Sequence, residues 1–176
     1  MKYVALFRGI NVGKSKRIDM KMLKGMFERI GCLNVSTYIN SGNVLFESND
    51  KQETIVEDIE NMLLADLGEE IKVLVKTQTQ MTQIANSIPD EWVNDGKQKT
   101  DVAYLFQEIN REDILEELPI KKEFLKILFV DGAIIWNVIR NVYNKSHLNK
   151  IIGHKLYKLM TVRNVNTARY LATKIY

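Results

Sequence analysis

The apolar run Tyr-Val-Ala-Leu-Phe at residues 3–7 breaks at once into a polar stretch, which begins Arg-Gly-Ile-Asn-Val-Gly-Lys at residues 8–14. A short aromatic and β-branched run that ends in Gly and Asn is typical of a buried strand entering a polar loop. This strand constrains the fold most, because the rest of the chain can be arranged around it. The loop carries residue types that bind anions, but it completes no catalytic signature.

The elements after this strand predict a ferredoxin-like first half. Asp19 can cap a helix whose apolar positions follow the 3.6-residue period. Two strands flank a tight turn at residues 40–42, and Asp50 with Glu53 resembles a capping box that opens a long helix. A strand at residues 71–77 completes the order β-α-β-β-α-β, which is the split βαβ pattern.

The second half predicts another α+β unit, of order β-α-β-β-α-α. Its predicted elements are a strand at 101–106, a short helix at 111–118, a hairpin around Asp131-Gly132, a helix from Ser146 to about Leu159 with Ile152 facing inward, and a last helix from near Val165. The polar, turn-rich stretch 89–100 suggests the boundary. We therefore expect an α+β protein with subdomains 1–88 and 89–176, each an antiparallel sheet with helices packed on one face.

The composition indicates a globular protein in a reducing compartment. At 176 residues, with 45% hydrophobic and 27% charged residues, the chain has enough apolar material for a core. Its single cysteine, Cys32, excludes an internal disulfide. No apolar run approaches the roughly 18 residues of a membrane helix, and Arg8 stands where a signal peptide would stay apolar. We expect a cytoplasmic protein that has no membrane partner.

The net charge of +3 conceals a strong segregation of charge along the chain. Residues 1–27 carry seven Lys/Arg and one acid, residues 47–117 carry eighteen Asp/Glu and six Lys/Arg, and residues 132–176 carry eight Lys/Arg and no acid. Two basic ends that meet in the fold would form one positive surface, which favours an anionic partner such as nucleic acid. The alternative is that each charged run is a solvated face.

The first candidate site is the loop after the first strand, with Arg8, Gly9, Asn11, Gly13 and Lys14. A phosphate-binding P-loop needs four residues between its glycines, and here there are three. The looser interpretation is an anion site, because glycines expose backbone N–H groups and the basic side chains add donors. The alternative is a plain glycine turn with solvated bases.

The second candidate is the turn with Asn40, Ser41 and Asn43. Asn and Gly tolerate positive φ, so ordinary hairpin chemistry explains these residues as well as a binding role does. We expect this turn to lie at the opposite end of the sheet from the loop after the first strand. One compact pocket would then not hold both stretches.

The third candidate comprises Thr161, Arg163, Asn164, Asn166 and Thr167, which are expected where the last helix starts. Free backbone N–H groups at a helix N-terminus, together with Arg and hydroxyl groups, can bind an anion. The alternative is that Asn164 or Thr161 caps the helix while Arg163 pairs with an acid.

No residue set completes a metal-binding or catalytic signature. His147 and His154 lie seven residues apart without Cys or acid partners nearby, which makes a poor metal set. Cys32 has no local His partner and is expected to be a structural thiol. We therefore predict no metal and no cofactor, and the sequence names no catalytic residue.

Three stretches together resemble a bacterial family catalogued as domain of unknown function 1697. They are Leu-Phe-Arg-Gly-Ile-Asn-Val-Gly at 6–13, Thr-Tyr-Ile-Asn-Ser-Gly-Asn-Val at 37–44 and Thr-Val-Arg-Asn-Val-Asn-Thr at 161–167. The resemblance implies a two-subdomain α+β protein of the bacterial cytoplasm, with a ferredoxin-like first part and no established activity. The chain departs from the family pattern at Lys14, often a glycine there, and at Val165, usually a tryptophan.

These observations lead to a hypothesis with two alternatives. The leading hypothesis is a protein that binds a small anionic ligand, phosphorylated or nucleotide-like, in a cleft between the two halves. The predicted walls are Arg8, Asn11 and Gly13 on one side and Arg163, Asn164 and Thr167 on the other. The first alternative is nucleic-acid binding through the basic ends of the chain. The second is a structural or self-association module in which Arg8 and Arg163 are buried in ion pairs.

Overall fold

Two four-stranded antiparallel sheets with the same strand arrangement form the framework of the protein. The computed structural model describes residues 1–10, 18–40 and 42–173. Within these residues the chain divides into two units, unit 1 with Met1–Met81 and unit 2 with the residues from Thr82 onward. The predicted α+β class with two antiparallel sheets is confirmed. The division between Met81 and Thr82 precedes the predicted boundary at residues 88/89.

Unit 1 has the predicted ferredoxin-like order of elements. The elements are β1 Lys2–Phe7, α1 Met20–Arg29, β2 Leu33–Tyr38, β3 Asn43–Glu47, α2 Gln52–Leu67 and β4 Val73–Thr77. In the sheet the strands lie in the order β2-β3-β1-β4. The run at residues 3–7 is therefore in a central strand, as its apolar character predicts.

The helices of unit 1 begin in two different ways. Asp19 caps α1 as predicted, because its carboxylate accepts hydrogen bonds from the backbone N–H groups of Lys21 and Met22 at 2.8 and 3.0 Å. The predicted capping box of α2 is wrong, since Lys51 is the N-cap residue and makes no side-chain cap bond. Asp50 lies one position too early for this role, and its backbone N–H instead donates to the Ser48 hydroxyl.

Helices α1 and α2 cover one face of the unit-1 sheet. The ring of Phe27 from α1 lies edge-on to Phe46 at 5.2 Å and to Phe7 at 6.1 Å between ring centroids. Ile59 and Leu63 of α2 join the same core and are fully buried. This core is aromatic and closely packed, and its energy comes from the burial of apolar side chains.

Unit 2 repeats the sheet arrangement with different covering elements. Its strands and helices are β5 Gln98–Leu105, α4 Ile114–Glu117, β6 Lys126–Val130, β7 Ala133–Ile139, β8 Met160–Asn164 and α5 Val165–Thr173, while α3 Gln78–Asn86 spans the division between the units. Short 3-10 helices occupy Gln107–Ile109, Lys122–Phe124, Arg140–Ser146, Leu148–Gly153 and Lys155–Leu159. The strands lie in the order β6-β7-β5-β8, and β6 and β7 form the hairpin predicted around Asp131-Gly132.

The structure corrects the end of the second half in two places. The predicted α-helix from Ser146 to Leu159 is instead part of a series of three 3-10 helices, the 3-10 segment at residues 140–159. His147 has a positive φ of 60°, which ends one 3-10 helix before the next begins, and Ile152 is 66% exposed rather than inward. Residues 160–164 then form strand β8, so a strand precedes the last helix and completes the same four-strand pattern as in unit 1.

The 3-10 segment covers one face of the unit-2 sheet. Ala103, Leu105, Ile134 and Trp136 point from the sheet into a core that also contains the buried Leu148, Ile151 and Leu156 of the segment. Among the described residues, no helix is both long enough and apolar enough to cross a membrane.

Candidate functional site

The loop after β1 and the turn before β3 lie at the same end of the unit-1 sheet. The backbone N–H of Phe7 donates to the carbonyl oxygen of Gly42 at 2.9 Å, and Leu6 is paired with Asn43 in the ladder. In an antiparallel pair the end of one strand lies beside the start of its neighbour. The expectation that these two stretches lie at opposite ends is therefore wrong.

Gly42 makes the contact between the two stretches possible. It is buried, its φ is +75°, and a Cβ built on it would lie 2.6 Å from Ile10 Cδ1 and 2.8 Å from Phe7 Cβ. No side chain fits at that distance, so the glycine allows Ile10 to pack directly on the turn. The sequence Arg-Gly-Ile after β1 and the glycine of the turn are thus parts of one packed corner.

The predicted residues at this corner divide by exposure. Arg8 is half-buried, while Gly9, with a φ of +69°, and Asn40 are exposed. Asn43 is fully buried, and its side-chain amide donates to the carbonyl of Tyr38 at 3.0 Å, which closes the hairpin. Asn43 therefore has a structural contact that fits the hairpin interpretation. The other predicted members of the two stretches, Asn11, Gly13, Lys14 and Ser41, lie outside the described residues.

The third candidate stretch lies in β8 and the first turn of α5. Thr161 and Arg163 are residues of strand β8, which ends where α5 begins, so the stretch lies at the start of the last helix as predicted. Asn164 accepts a hydrogen bond from the backbone N–H of Thr167 at 2.9 Å and caps α5, as one of the two interpretations predicts. Asn166 is exposed and Thr167 is buried.

Arg163 is buried against its own strand. The guanidinium donates to the Thr161 hydroxyl at 2.8 Å and to the Val162 carbonyl at 2.9 Å. Removal from water lowers the pKa of Arg163 to about 10, and the nearby hydroxyl groups of Tyr104 and Tyr157 act in the opposite direction. Arg163 therefore still carries its charge at neutral pH.

Tyr104 belongs to this cluster although nothing in its local sequence marks it. It stands opposite Thr161 in the β5–β8 ladder. Burial raises the pKa of its hydroxyl, which is completely enclosed and has no hydrogen-bond partner in the part of the chain that the structure describes. Only the register of two strands that are distant in sequence brings it to Arg163.

A small pocket opens between the unit-2 sheet and the 3-10 segment. Its volume is about 200 Å³, and it is lined by Lys99, Asp101, Trp136, Tyr143, Leu148, Ile151, Ile152, Tyr157 and Val162. Tyr157 thus lies at this pocket and also interacts electrostatically with Arg163. None of the lining residues is part of a recognisable sequence motif, because they come from three strands and three 3-10 helices.

The described histidines and cysteine show no arrangement for metal binding. Within residues 1–10, 18–40 and 42–173, no group of three or more His, Cys, Asp or Glu side chains could hold a metal ion. Burial raises the pKa of the Cys32 thiol to about 11, and the carboxylates of Asp50 and Asp58 add to this effect. A thiol of this pKa is a poor nucleophile at neutral pH, which fits a structural residue.

Comparisons with known proteins identify the family. The chain has the fold of conserved bacterial protein SP0830 from Streptococcus pneumoniae, with a TM-score of 0.84, 22% sequence identity, and coverage of 97% of this chain and 96% of that one. No curated protein sequence matches. The family model described as "Protein of unknown function (DUF1697)" matches residues 1–136. Because that match covers most of the sequence, the chain belongs to the DUF1697 family of bacterial proteins, whose function is uncharacterised.

Proposed function

We propose that the protein binds a small anionic ligand, phosphorylated or nucleotide-like, at the unit-1 corner where the loop after β1 meets the β2–β3 turn. The observation that carries the proposal is the hydrogen bond from Phe7 to Gly42, which joins these two stretches. It brings Arg8 and Gly9 to the same end of the sheet as Asn40. The donor-rich residues Asn11, Gly13, Lys14 and Ser41 belong to the same two stretches of sequence.

The chemistry of these residues suits an oxyanion. A guanidinium offers parallel N–H donors that match phosphate and carboxylate oxygens. Glycine leaves its backbone N–H accessible, and successive backbone N–H groups form concave anion sites. Seven Lys/Arg against one acid in residues 1–27 favour a negatively charged ligand over a neutral one.

Arg163 has a different place in this proposal. Its burial and its bonds to Thr161 and Val162 support a structural role within β8. The second wall predicted around Arg163 and Asn164, and the cleft that it would share with Arg8, stay predictions. A cytoplasmic location is likewise part of the proposal, and it suits a protein with one free, buried cysteine.

Calorimetric titration at low salt tests the proposal with inorganic phosphate, AMP and ATP as probes. Arg8→Ala is expected to weaken binding by about tenfold or more, because a charge-assisted hydrogen bond is lost. Arg8→Lys keeps the charge without the planar fork and should lose less. The matched control is Lys51→Ala, an exposed lysine whose side chain makes no cap bond at α2. Equal losses for Arg8→Ala and Lys51→Ala, or no binding by the folded wild type, would contradict the proposal.

A second candidate function, nucleic-acid binding, is favoured by one feature of unit 2. The basic residues of the 3-10 segment are all exposed, and no acid occurs from residue 132 to the end of the chain; these basic residues are Arg140, Lys145, Lys150, Lys155 and Lys158. A surface of this kind releases counterions when it binds phosphates. Fluorescence anisotropy with a labelled single-stranded oligonucleotide should then show an affinity that falls steeply between 50 and 200 mM salt. The slope of log affinity against log salt concentration should correspond to several phosphate contacts. A flat salt dependence would rule this candidate out.

A further inference from the structure

We infer that the pocket of unit 2 is a binding site for one planar heteroaromatic ring of the nucleobase class. It is formed by Trp136, Tyr143 and Tyr157 together with the Lys99–Asp101 ion pair. The site shares no residue with the anion site proposed in unit 1, so either proposal can fail while the other holds.

The size and the walls of the pocket select a single flat ring. Its volume of about 200 Å³ is below the roughly 300–1,000 Å³ of pockets that hold drug-sized ligands. Three of its residues are aromatic, and base–aromatic stacking is a strong and sequence-tolerant source of affinity. Leu148, Ile151 and Val162 supply the remaining apolar wall. A sugar or a free phosphate would find few partners on such walls.

The polar residues of the pocket indicate which hydrogen-bonding edge the bound ring would present. Asp101 and Trp136 stand directly opposite each other in the β5–β7 ladder. The Trp136 side chain is buried, and its indole N–H has no hydrogen-bond partner among the described residues. Because this N–H is itself enclosed, Trp136 contributes its ring to the lining of the pocket rather than a hydrogen-bond donor.

Asp101 provides the acceptor for a ligand. Its carboxylate is 8% exposed and lies 2.7 Å from Lys99 Nζ, which leaves further lone pairs to accept from a ligand. A ring whose edge carries an amino donor would satisfy Asp101. Adenine, cytosine and guanine present such an edge. Lys99 also lies 5.2 Å from the ring centroid of Tyr143, and this contact holds the aromatic wall beside the ion pair.

The surroundings of the pocket favour a base that carries phosphate. The exposed lysines of the 3-10 segment, Lys150 and Lys155 among them, are in the same stretch as Tyr143 and Tyr157. The pKa of His147 is lowered, first by desolvation and then by the positive charges of Lys150 and Lys121, which outweigh the opposite effect of Glu123. This part of the unit-2 surface is therefore positively charged, as a nucleotide phosphate requires.

Tryptophan fluorescence tests the site directly. Trp92→Phe leaves Trp136 as the remaining tryptophan, since the chain has two, so a stacking ring should quench the emission saturably. The probes are adenosine, cytidine, uridine, AMP and a short single-stranded oligonucleotide, with benzyl alcohol as an aromatic ring without a base edge. We expect saturation by adenosine and cytidine at millimolar or lower concentration and weaker quenching by benzyl alcohol.

Two variants, each combined with Trp92→Phe, test whether the ligand binds in this pocket. Tyr157→Leu removes an aromatic wall and should weaken binding by about tenfold. Asp101→Asn replaces one acceptor oxygen by a donor and should remove the preference for adenosine and cytidine over uridine. The control is Ile139→Ala, an exposed residue outside the pocket, which should leave binding unchanged. Thermal melting of each variant shows that it is folded.

The outcomes separate the possible ligands. Saturation by AMP at lower concentration than by the oligonucleotide identifies a free nucleotide, and the reverse order identifies a nucleotide within a strand. Three results would overturn the inference: no saturable quenching by any base, equal quenching by benzyl alcohol, or an equal loss in Ile139→Ala. If both pocket variants fail to fold, the comparison of adenosine with benzyl alcohol in the protein with an unchanged pocket still decides whether the inference holds.

Discussion

Units 1 and 2 share one strand arrangement but differ in what covers the sheet. In unit 1 helix α1 places Phe27 against Phe7 and Phe46, and α2 adds Ile59 and Leu63 to the same dense core. In unit 2 three short 3-10 helices take that position, and a pocket lined by Trp136 and two tyrosines remains beside the sheet. An amphipathic α-helix offers a continuous apolar stripe, whereas short 3-10 helices change direction every few residues. The same sheet arrangement can therefore support a closed core or a small pocket with aromatic walls.

The largest expected effect tests the closed core of unit 1. Phe27→Ala removes a fully buried ring with two aromatic neighbours and should lower the free energy of unfolding by about 3–5 kcal/mol. Ile152→Ala in the 3-10 segment of unit 2 is the matched apolar truncation at an exposed position and should change it by no more than about 0.5 kcal/mol. Urea denaturation measures both. A similar loss in the two variants would show that the covering layers do not differ as described.

An intermediate effect is expected at Gly42, where the β2–β3 turn of unit 1 meets the residues that follow β1. Gly42→Ala should destabilise by about 2 kcal/mol or more, because it combines a positive φ with contacts to Ile10 and Phe7 that are too short for a Cβ. Gly68→Ala shares the positive φ, of +70°, but has open space around it, and should cost about 1 kcal/mol. The difference in stability between the two variants, measured by thermal melting, isolates the steric contribution to the effect of Gly42→Ala. Equal losses would mean that Ile10 does not pack on the turn.

The smallest effect compares the helix caps of the two units. Asp19→Ala and Asn164→Ala each remove a side chain that accepts from the first turn of a helix, α1 in unit 1 and α5 in unit 2. Each should cost about 1 kcal/mol in the free energy of unfolding. Lys51→Ala, at an N-cap without a side-chain bond, serves as the reference and should have little effect. If Asn164→Ala also behaves like this reference, the cap interpretation of the third stretch fails.

Local signals predicted the parts of the fold that depend on neighbouring residues. Asp19 marks the start of α1 because a cap requires only the next three residues. Asp131-Gly132 marks the β6–β7 hairpin because the two-residue turn fixes the pairing of the strands that flank it. The prediction failed at residues 160–164, where β8 is too short for a period of two to show. It also failed at His147, where a positive φ interrupts an otherwise helical pattern of apolar residues.

For the candidate sites, too, the sequence predicted residue types but not which distant residues lie together. The residue types in the loop after β1 and in the turn near Asn40 were recognised from the sequence, but their position at one end of the sheet follows from the antiparallel β1–β3 pairing. The pocket in unit 2 had no signal at all, since Asp101 and Trp136 meet only through the β5–β7 register. Tyr104 reaches Arg163 in the same way.

The sequence by itself determined the α+β class, the element order of unit 1, the first helix cap and the residue types in the loop after β1. These features rest on hydrophobic period, turn residues and charge, which act over a few positions in the chain. Tertiary structure alone decided which loop ends lie together, that Arg163 is buried in a strand, and that a pocket opens beside Trp136. Those outcomes depend on strand pairing between residues far apart in sequence, and many short apolar runs can form such pairs equally well until the whole sheet is assembled.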